Sequence, residues 1–224
     1  MLFPGWPSPR AVGWVLVQQF QDPLFRAALL GSAWRMLVGY TLVVVVGITG
    51  GLLLGRVPLL DQAIGSLAVA VHAIPGAAWV PLAIIWFGMT EQAVIFTILL
   101  GAVGIVIVST DTGIREVPPL VARAARTLGA RGVKYFWFVV VPSAIPKMVD
   151  GLRLAWAFGW RALMAGELLT SVNGLGQRLS QVAKTGQLDQ LLALMLLIAV
   201  IGIAIDGLIF KRLEHEVRVR WGLA

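Results

Sequence analysis

The 224-residue sequence has no cysteine, only two histidines and two tyrosines, and few charges, with 13% of its residues Asp, Glu, Lys or Arg. Each shortage excludes something. Without cysteine there is no disulfide, thiolate metal site or cysteine nucleophile. No GxxxxGK[ST] run is present, so the chain does not cradle ATP by that route, and no HExxH or Ser/His/Asp constellation offers hydrolytic chemistry. No catalytic residue, metal site or cofactor is expected on this chain. Energy for any work it does has to come from a partner. A soluble domain carries about a quarter charged residues, so the low charge also argues against a water-soluble fold.

What is present is apolar. Hydrophobic residues make up 58% of the sequence and the mean hydropathy is +0.87, which implies a chain solvated by lipid. The net charge of +7 reads as basic loops held on the cytoplasmic side of a membrane rather than as a nucleic-acid surface. Met1 to Arg10 holds three prolines and no basic stretch ahead of an apolar run, and does not read as a signal peptide.

A helix needs roughly 20 mainly apolar residues to cross the hydrocarbon. Five stretches qualify, near 35–55, 65–88, 92–111, 147–169 and 188–210, which predicts an all-α polytopic bundle. Gly47, Gly51 and Gly55 put small residues on one face of the first, where another helix can approach closely. Pro75 and Pro81 interrupt the second, and a broken helix of this kind often lines a pathway. With the 112–146 segment inside, Arg56, Arg115, Arg123, Arg126, Arg131, Lys134, Lys211, Arg212, Arg218 and Arg220 are all cytoplasmic, and the positive-inside rule selects that orientation. The chain then reads as one transmembrane domain, 1–224, with an external segment 1–31 that has room for a surface-lying helix. Its cytoplasmic parts are the loop 112–146 and the tail 211–224. No internal repeat or low-complexity tract appears.

The loop is too polar to span and too patterned to be passive. From Pro118 to Gly129, Leu120, Val121, Ala124, Ala125 and Leu128 recur at helical spacing while Arg123 and Arg126 point elsewhere. Proline opens this short helix and Gly129 is placed to end it in a left-handed conformation. A second apolar, aromatic stretch, Gly132 to Val141, is closed by Pro142 and Pro146. Periodicity alone leaves two readings open: a hairpin lying in the lipid interface, or an element that engages a partner.

At this point the residues resemble a known family. Ala124-Ala125, Gly129-Ala130, Phe136 or Phe138, and Val141-Pro142-Ser143-Ala144-Ile145-Pro146 are similar to the EAA loop of binding-protein-dependent ABC importer permeases. His72-Ala73-Ile74-Pro75, the run Pro81 to Gly88, Gly151-Leu152-Arg153 and Ala165-Gly166-Glu167 are similar to the nitrate, sulfonate, taurine and bicarbonate branch, in collinear order. The resemblance implies a permease subunit in a bacterial inner membrane, importing a small oxyanion or organic anion. It also implies a second permease, two cytoplasmic ABC ATPase subunits that hold ATP and magnesium, and an extracytoplasmic binding protein. Arg123, Ala124, Ala125, Gly129, Ala130, Pro142 and Pro146 would then carry coupling to the ATPase, and His72, Pro75, Trp86, Arg161 and Glu167 would line the path. Two departures stand out: Arg123 occupies the position of the motif's glutamate, and the branch usually has six spans where five are read here. A channel or secondary carrier independent of ATP is the alternative.

Charges within spans are functional hypotheses by default. Arg161 lies about 20 Å along the fourth span from Lys147 at 1.5 Å per residue, which makes it the deepest cation. It stands about 240° around the helix from Glu167, so the two cannot pair on one face. Arg161 needs another partner, structural or substrate. Asp206 is expected near Lys211 or Arg212 as an interfacial anchor.

Overall fold

The computed structural model describes residues 7–56 and 66–222, the side chains of Ser66 to Ala68 and of His72 excepted. Every regular element among the described residues is helical: α1 (Pro9–Gln21), α2 (Pro23–Arg56), α3 (Ser66–Ala73), α4 (Val80–Phe87), α5 (Glu91–Arg115), α6 (Pro119–Thr127), α7 (Gly132–Tyr135), α8 (Val141–Leu169), α9 (Leu175–Thr185), α10 (Leu188–Ile205) and α11 (Lys211–Arg220). Two five-residue π turns, Phe136–Val140 and Asp206–Phe210, join α7 to α8 and α10 to α11. Among the described residues three helices are both long and apolar enough to cross a membrane: Pro23–Arg56, Glu91–Arg115 and Leu188–Arg220. The protein is a membrane protein.

Helix α5 is the centre of the bundle. Of its most apolar window 61% is buried, against 11% for the Leu188–Arg220 helix, which therefore lies at the periphery. Small residues let α5 be gripped from both sides. Gly47, Gly51 and Gly55 of α2 rest on Val106, Thr110 and Ile114 of α5, where an added Cβ would collide with each of those side chains. Across α5, Gly151 of α8 rests on Ser109, and Gly101 of α5 rests on Ala162. Without a hydrophobic drive between helices in lipid, such close backbone approach is what supplies packing energy. Phe25, Met36, Ile98, Val106, Trp156, Leu163 and Phe210 fill the core so formed. Tyr40 sits edge-on to Trp156 and Phe210 and donates to the Leu152 carbonyl at 2.7 Å.

Several boundaries differ from the sequence reading. The first span begins at Pro23 instead of 35, because Leu24 to Leu30 continue the helix and the charge of Arg35 is compensated inside the fold. The second span breaks at Pro75 alone. Pro75 is extended (φ −56°, ψ 137°) and followed by a 3-10 turn, Gly76–Trp79, whereas Pro81 sits in the first turn of α4, where a missing N–H is tolerated. Residues 57–65, which hold the start of this span, lie outside the described residues. The last span continues as helix through the expected tail to Arg220, and the segment between the fourth and fifth spans contains the unexpected helix α9.

Pro142 and Pro146 do not close the loop; α8 runs through both. Pro142 lies in its first turn, and Ser143 Oγ donates to the Val139 carbonyl at 2.7 Å. Pro146 has no N–H to give to the carbonyl four residues back, that of Pro142. Trp221, just past α11, supplies the missing donor: its Nε1 meets the Pro142 oxygen at 2.9 Å.

Candidate functional site

The expected functional residues fall into three places. The first is the loop between α5 and α8. Helix α6 is amphipathic by sequence and nearly unpacked in the fold, with Leu120 73% and Leu128 87% exposed. Its end has the geometry of a Schellman cap. Gly129 takes φ +84°, its N–H reaches the Arg126 carbonyl at 3.1 Å, and the Ala130 N–H reaches the Ala125 carbonyl at 2.9 Å. Ala125 and Ala130 are thus the two ends of one bond, with Gly129 between them because a side chain there would strain the backbone. Arg123 and Ala124 are exposed. Arg126 stands over the Tyr135 ring at 5.8 Å, and Arg56 of α2 over Phe136 at 5.1 Å.

Two clefts flank α6 on its bundle side. One, about 430 Å³, runs past Glu116, Val121, Lys147, Asp150 and Trp221. The other, about 540 Å³, is bordered by Arg56, Ala122, Val133 and Phe136. Near this end α8 and α11 are laced together by charge. Arg153 grips Asp206 with Nε at 2.8 Å and Nη2 at 2.9 Å, and Glu214 with Nη1 at 2.6 Å. Asp206 is therefore first of all an interhelical partner of Arg153, with the expected charge of Lys211 also acting on it. Paired forks of this kind fix one helix against another in direction as well as distance.

The second place is the opposite end of the bundle. Glu167 does not face an open path: its side chain is 0% exposed and paired with Arg35 Nη1, itself 2% exposed. Ser32 Oγ donates to the same carboxylate at 2.8 Å, as does the Gly176 N–H at 2.9 Å. Ser32 Oγ in turn accepts the Leu175 N–H at 2.9 Å. The first turn of α9 is thus capped by side chains of α8 and α2. Arg35 also donates to the Asn173 carbonyl, and its Nε lies 3.5 Å from Glu91 at the start of α5. Gly174 and Gly176 make room, since a Cβ on either would overlap Glu167. Arg35, Ser32 and the 173–176 turn were missed by sequence reasoning. The one available signal was Arg35 itself, a cation in an otherwise apolar helix that demands a partner.

The third place is mid-bundle. Pro75 and Trp86 are exposed, Trp86 edge-on to Phe96 with centroids 5.4 Å apart. Gly76, beside the break, lies against Gly101 and Ala162. Arg161 is exposed, with its guanidinium 5.3 Å from the Phe158 ring centroid, and borders a cleft of about 300 Å³ with Trp160 and Asp206. The angular argument holds: Glu167 pairs with Arg35, not with Arg161. The side chain of His72 lies outside the described residues. The structure brings the loop residues together as one unit but does not join Glu167 to Pro75, Trp86 and Arg161.

A lipid-embedded bundle with one broken helix, a buried polar lock at one end and a bare amphipathic helix at the other has the build of a transporter's membrane subunit. Residues 47–218 match the family described as binding-protein-dependent transport system inner membrane component. The chain belongs to that family, and so is a permease subunit of an ABC importer. A protein of Methanocaldococcus jannaschii whose name marks it as an ABC transporter permease is 34% identical over 89% of this chain and 77% of its own. The taurine transport system permease protein of Escherichia coli is 31% identical over 84% of this chain and 69% of its own. The bicarbonate transport system permease protein of Synechocystis is 29% identical over 79% and 64%. Among solved structures, a chain of the MetNI methionine ABC transporter in an inward-facing form superposes with a TM-score of 0.71 at 18% identity, covering 87% of this chain and 96% of that one. That likeness concerns the fold.

Proposed function

We propose that this permease imports a small oxyanion or organic anion across a bacterial inner membrane, driven by a separate cytoplasmic ATPase that docks on α6. The observation that carries the reading is the bare helix: Leu120 and Leu128 stand 73% and 87% exposed on an element that packs almost nothing of its own. An exposed apolar stripe at i, i+4 and i+8 is the pattern of a helix laid into a partner's groove. The Gly129 cap then gives α6 a rigid end, and the π turn and Pro146 region carry its displacement into α8. ATP and magnesium belong to the partner.

The loop end is cytoplasmic in this reading, and α9 with the Arg35–Glu167 lock faces the substrate-binding protein. The exposed stretch around Pro75 and Trp86 faces a second permease subunit, and the path runs between the two. Arg161 meets the anion along it, because a guanidinium fork matches two oxygens at once, and the sulfonate of taurine and bicarbonate both present such a pair. This substrate class is supported by the named relatives and by the chemistry of Arg161. The chain has no cysteine, so single cysteines at Lys134 and Lys184 report orientation cleanly. An impermeant thiol reagent is expected to label Lys184→Cys from outside intact cells and Lys134→Cys only after lysis. Labelling of both from one side would overturn the arrangement.

A further inference from the structure

The charges near α6 are of two kinds. Four cations on the bundle close to the loop are matched within the chain: Arg115 to Asp111 at 2.8 Å, Lys147 to Glu116 at 3.5 Å, Arg153 to Asp206 and Glu214, and Arg218 to Glu214 at 2.8 Å. From Val117 to Pro146, by contrast, the sequence has Arg123, Arg126, Arg131 and Lys134 and no carboxylate at all. Among the described residues Arg123, Arg131 and Lys134 have no ion-pair partner, and Arg126 has only the Tyr135 ring. A general preference for basic cytoplasmic loops accounts for cations being here. It does not account for Arg123 standing exposed and unpaired among the described residues while Arg115, Lys147, Arg153 and Arg218 nearby each meet a carboxylate.

Their placement says what they await. At 100° per residue, Arg123 stands about 60° from Leu120, on the rim of the arc formed by Leu120, Ala124 and Leu128. Val121 and Ala122 each line one of the two clefts on the bundle side, and Ala122 and Ala125 are half-buried. The apolar stripe and Arg123 therefore point away from the end of the bundle, and so away from the bilayer that holds it. A helix lying in the lipid interface would turn its apolar face the other way. We propose, building on the reading that α6 docks into an ATPase subunit, that the receiving groove is acidic: an apolar floor for Leu120, Ala124 and Leu128, with a carboxylate on its rim opposite Arg123. Arg131 and Lys134 extend the same field and steer the encounter.

The test uses the full-length permease in nanodiscs and its purified ATPase, with affinity measured across a salt series in phosphatidylcholine discs and in phosphatidylglycerol-rich discs. The expected results are a wild-type affinity that weakens with salt, a loss of about tenfold for Arg123→Ala and a larger one for Arg123→Glu, the same in both lipids. Leu128→Asp abolishes binding in both, because it puts a charge on the apolar floor. If Arg123→Glu binds as well as wild type while Leu128→Asp does not, docking stands and the acidic groove is wrong. If neither change matters, the docking reading falls with it. An Arg123→Glu effect confined to the anionic discs would assign the charge to lipid and overturn the proposal.

Discussion

The two ends of the bundle solve opposite problems. At the α9 end, Arg35 and Glu167 are 2% and 0% exposed, and the carboxylate also takes bonds from Ser32 and Gly176. The two opposite charges there meet each other within the chain, and Arg35 also reaches the Asn173 carbonyl. At the loop end, Leu128 is 87% exposed and Arg123 has no ion-pair partner among the described residues. A closed end can hold a shape; an open end has bonding capacity left for another molecule.

The sharpest way to break the comparison is to open the closed end. Glu167→Ala strands a buried guanidinium, and losing one member of a buried pair costs about 3–5 kcal/mol. Thermal unfolding in detergent, followed by tryptophan fluorescence, is expected to show that loss together with a low yield of folded protein. The double change Arg35→Met with Glu167→Leu removes both charges and is expected to recover most of the stability. Wild-type stability in Glu167→Ala would mean that the pair does not hold this end together.

A smaller effect is expected where α11 meets the start of α8. Trp221→Phe keeps most of the ring but removes the N–H that reaches the Pro142 carbonyl, a loss of about 1 kcal/mol. Pro146→Ala restores a backbone donor for that same carbonyl. In the Pro146→Ala background Trp221→Phe is therefore expected to cost close to nothing, and a double-mutant cycle reads the difference directly. Equal effects in both backgrounds would detach Trp221 from the proline.

Arg161 is expected to contribute least to stability, since it is exposed and rests on Phe158. Arg161→Gln should assemble in normal yield yet import poorly, with Arg161→Lys in between because it keeps the charge and loses the fork. A fall in yield that matches the fall in import would mark it as structural instead.

Much of the open end was legible in the sequence, and little of the closed end was. Helix α6 and its left-handed Gly129 are local features, set by spacing and by one residue's backbone freedom, and both appear in the fold as read. The Gly47, Gly51 and Gly55 face is likewise a local pattern, although the partner helix it meets could not be named. The Arg35–Glu167 pair joins positions 132 residues apart, which no window of sequence reveals, so Arg35 read as the edge of a span and Glu167 as a residue lining the path. The continuity of α8 through Pro142 and Pro146 was hidden for the same reason. The donor that makes Pro146 tolerable lies 79 residues from the Pro142 carbonyl it meets.

The central claim is that α6 receives the work of a separate ATPase, and import into proteoliposomes tests it most directly. Permease, its ATPase and its binding protein are reconstituted together, wild type beside Gly129→Val, in which a branched residue is forced to the φ of +84° that glycine holds. The account predicts uptake by the wild type only when ATP and the ATPase are both present. For Gly129→Val it predicts normal insertion with little uptake. Uptake that persists without ATP, or that survives Gly129→Val unchanged, would contradict it.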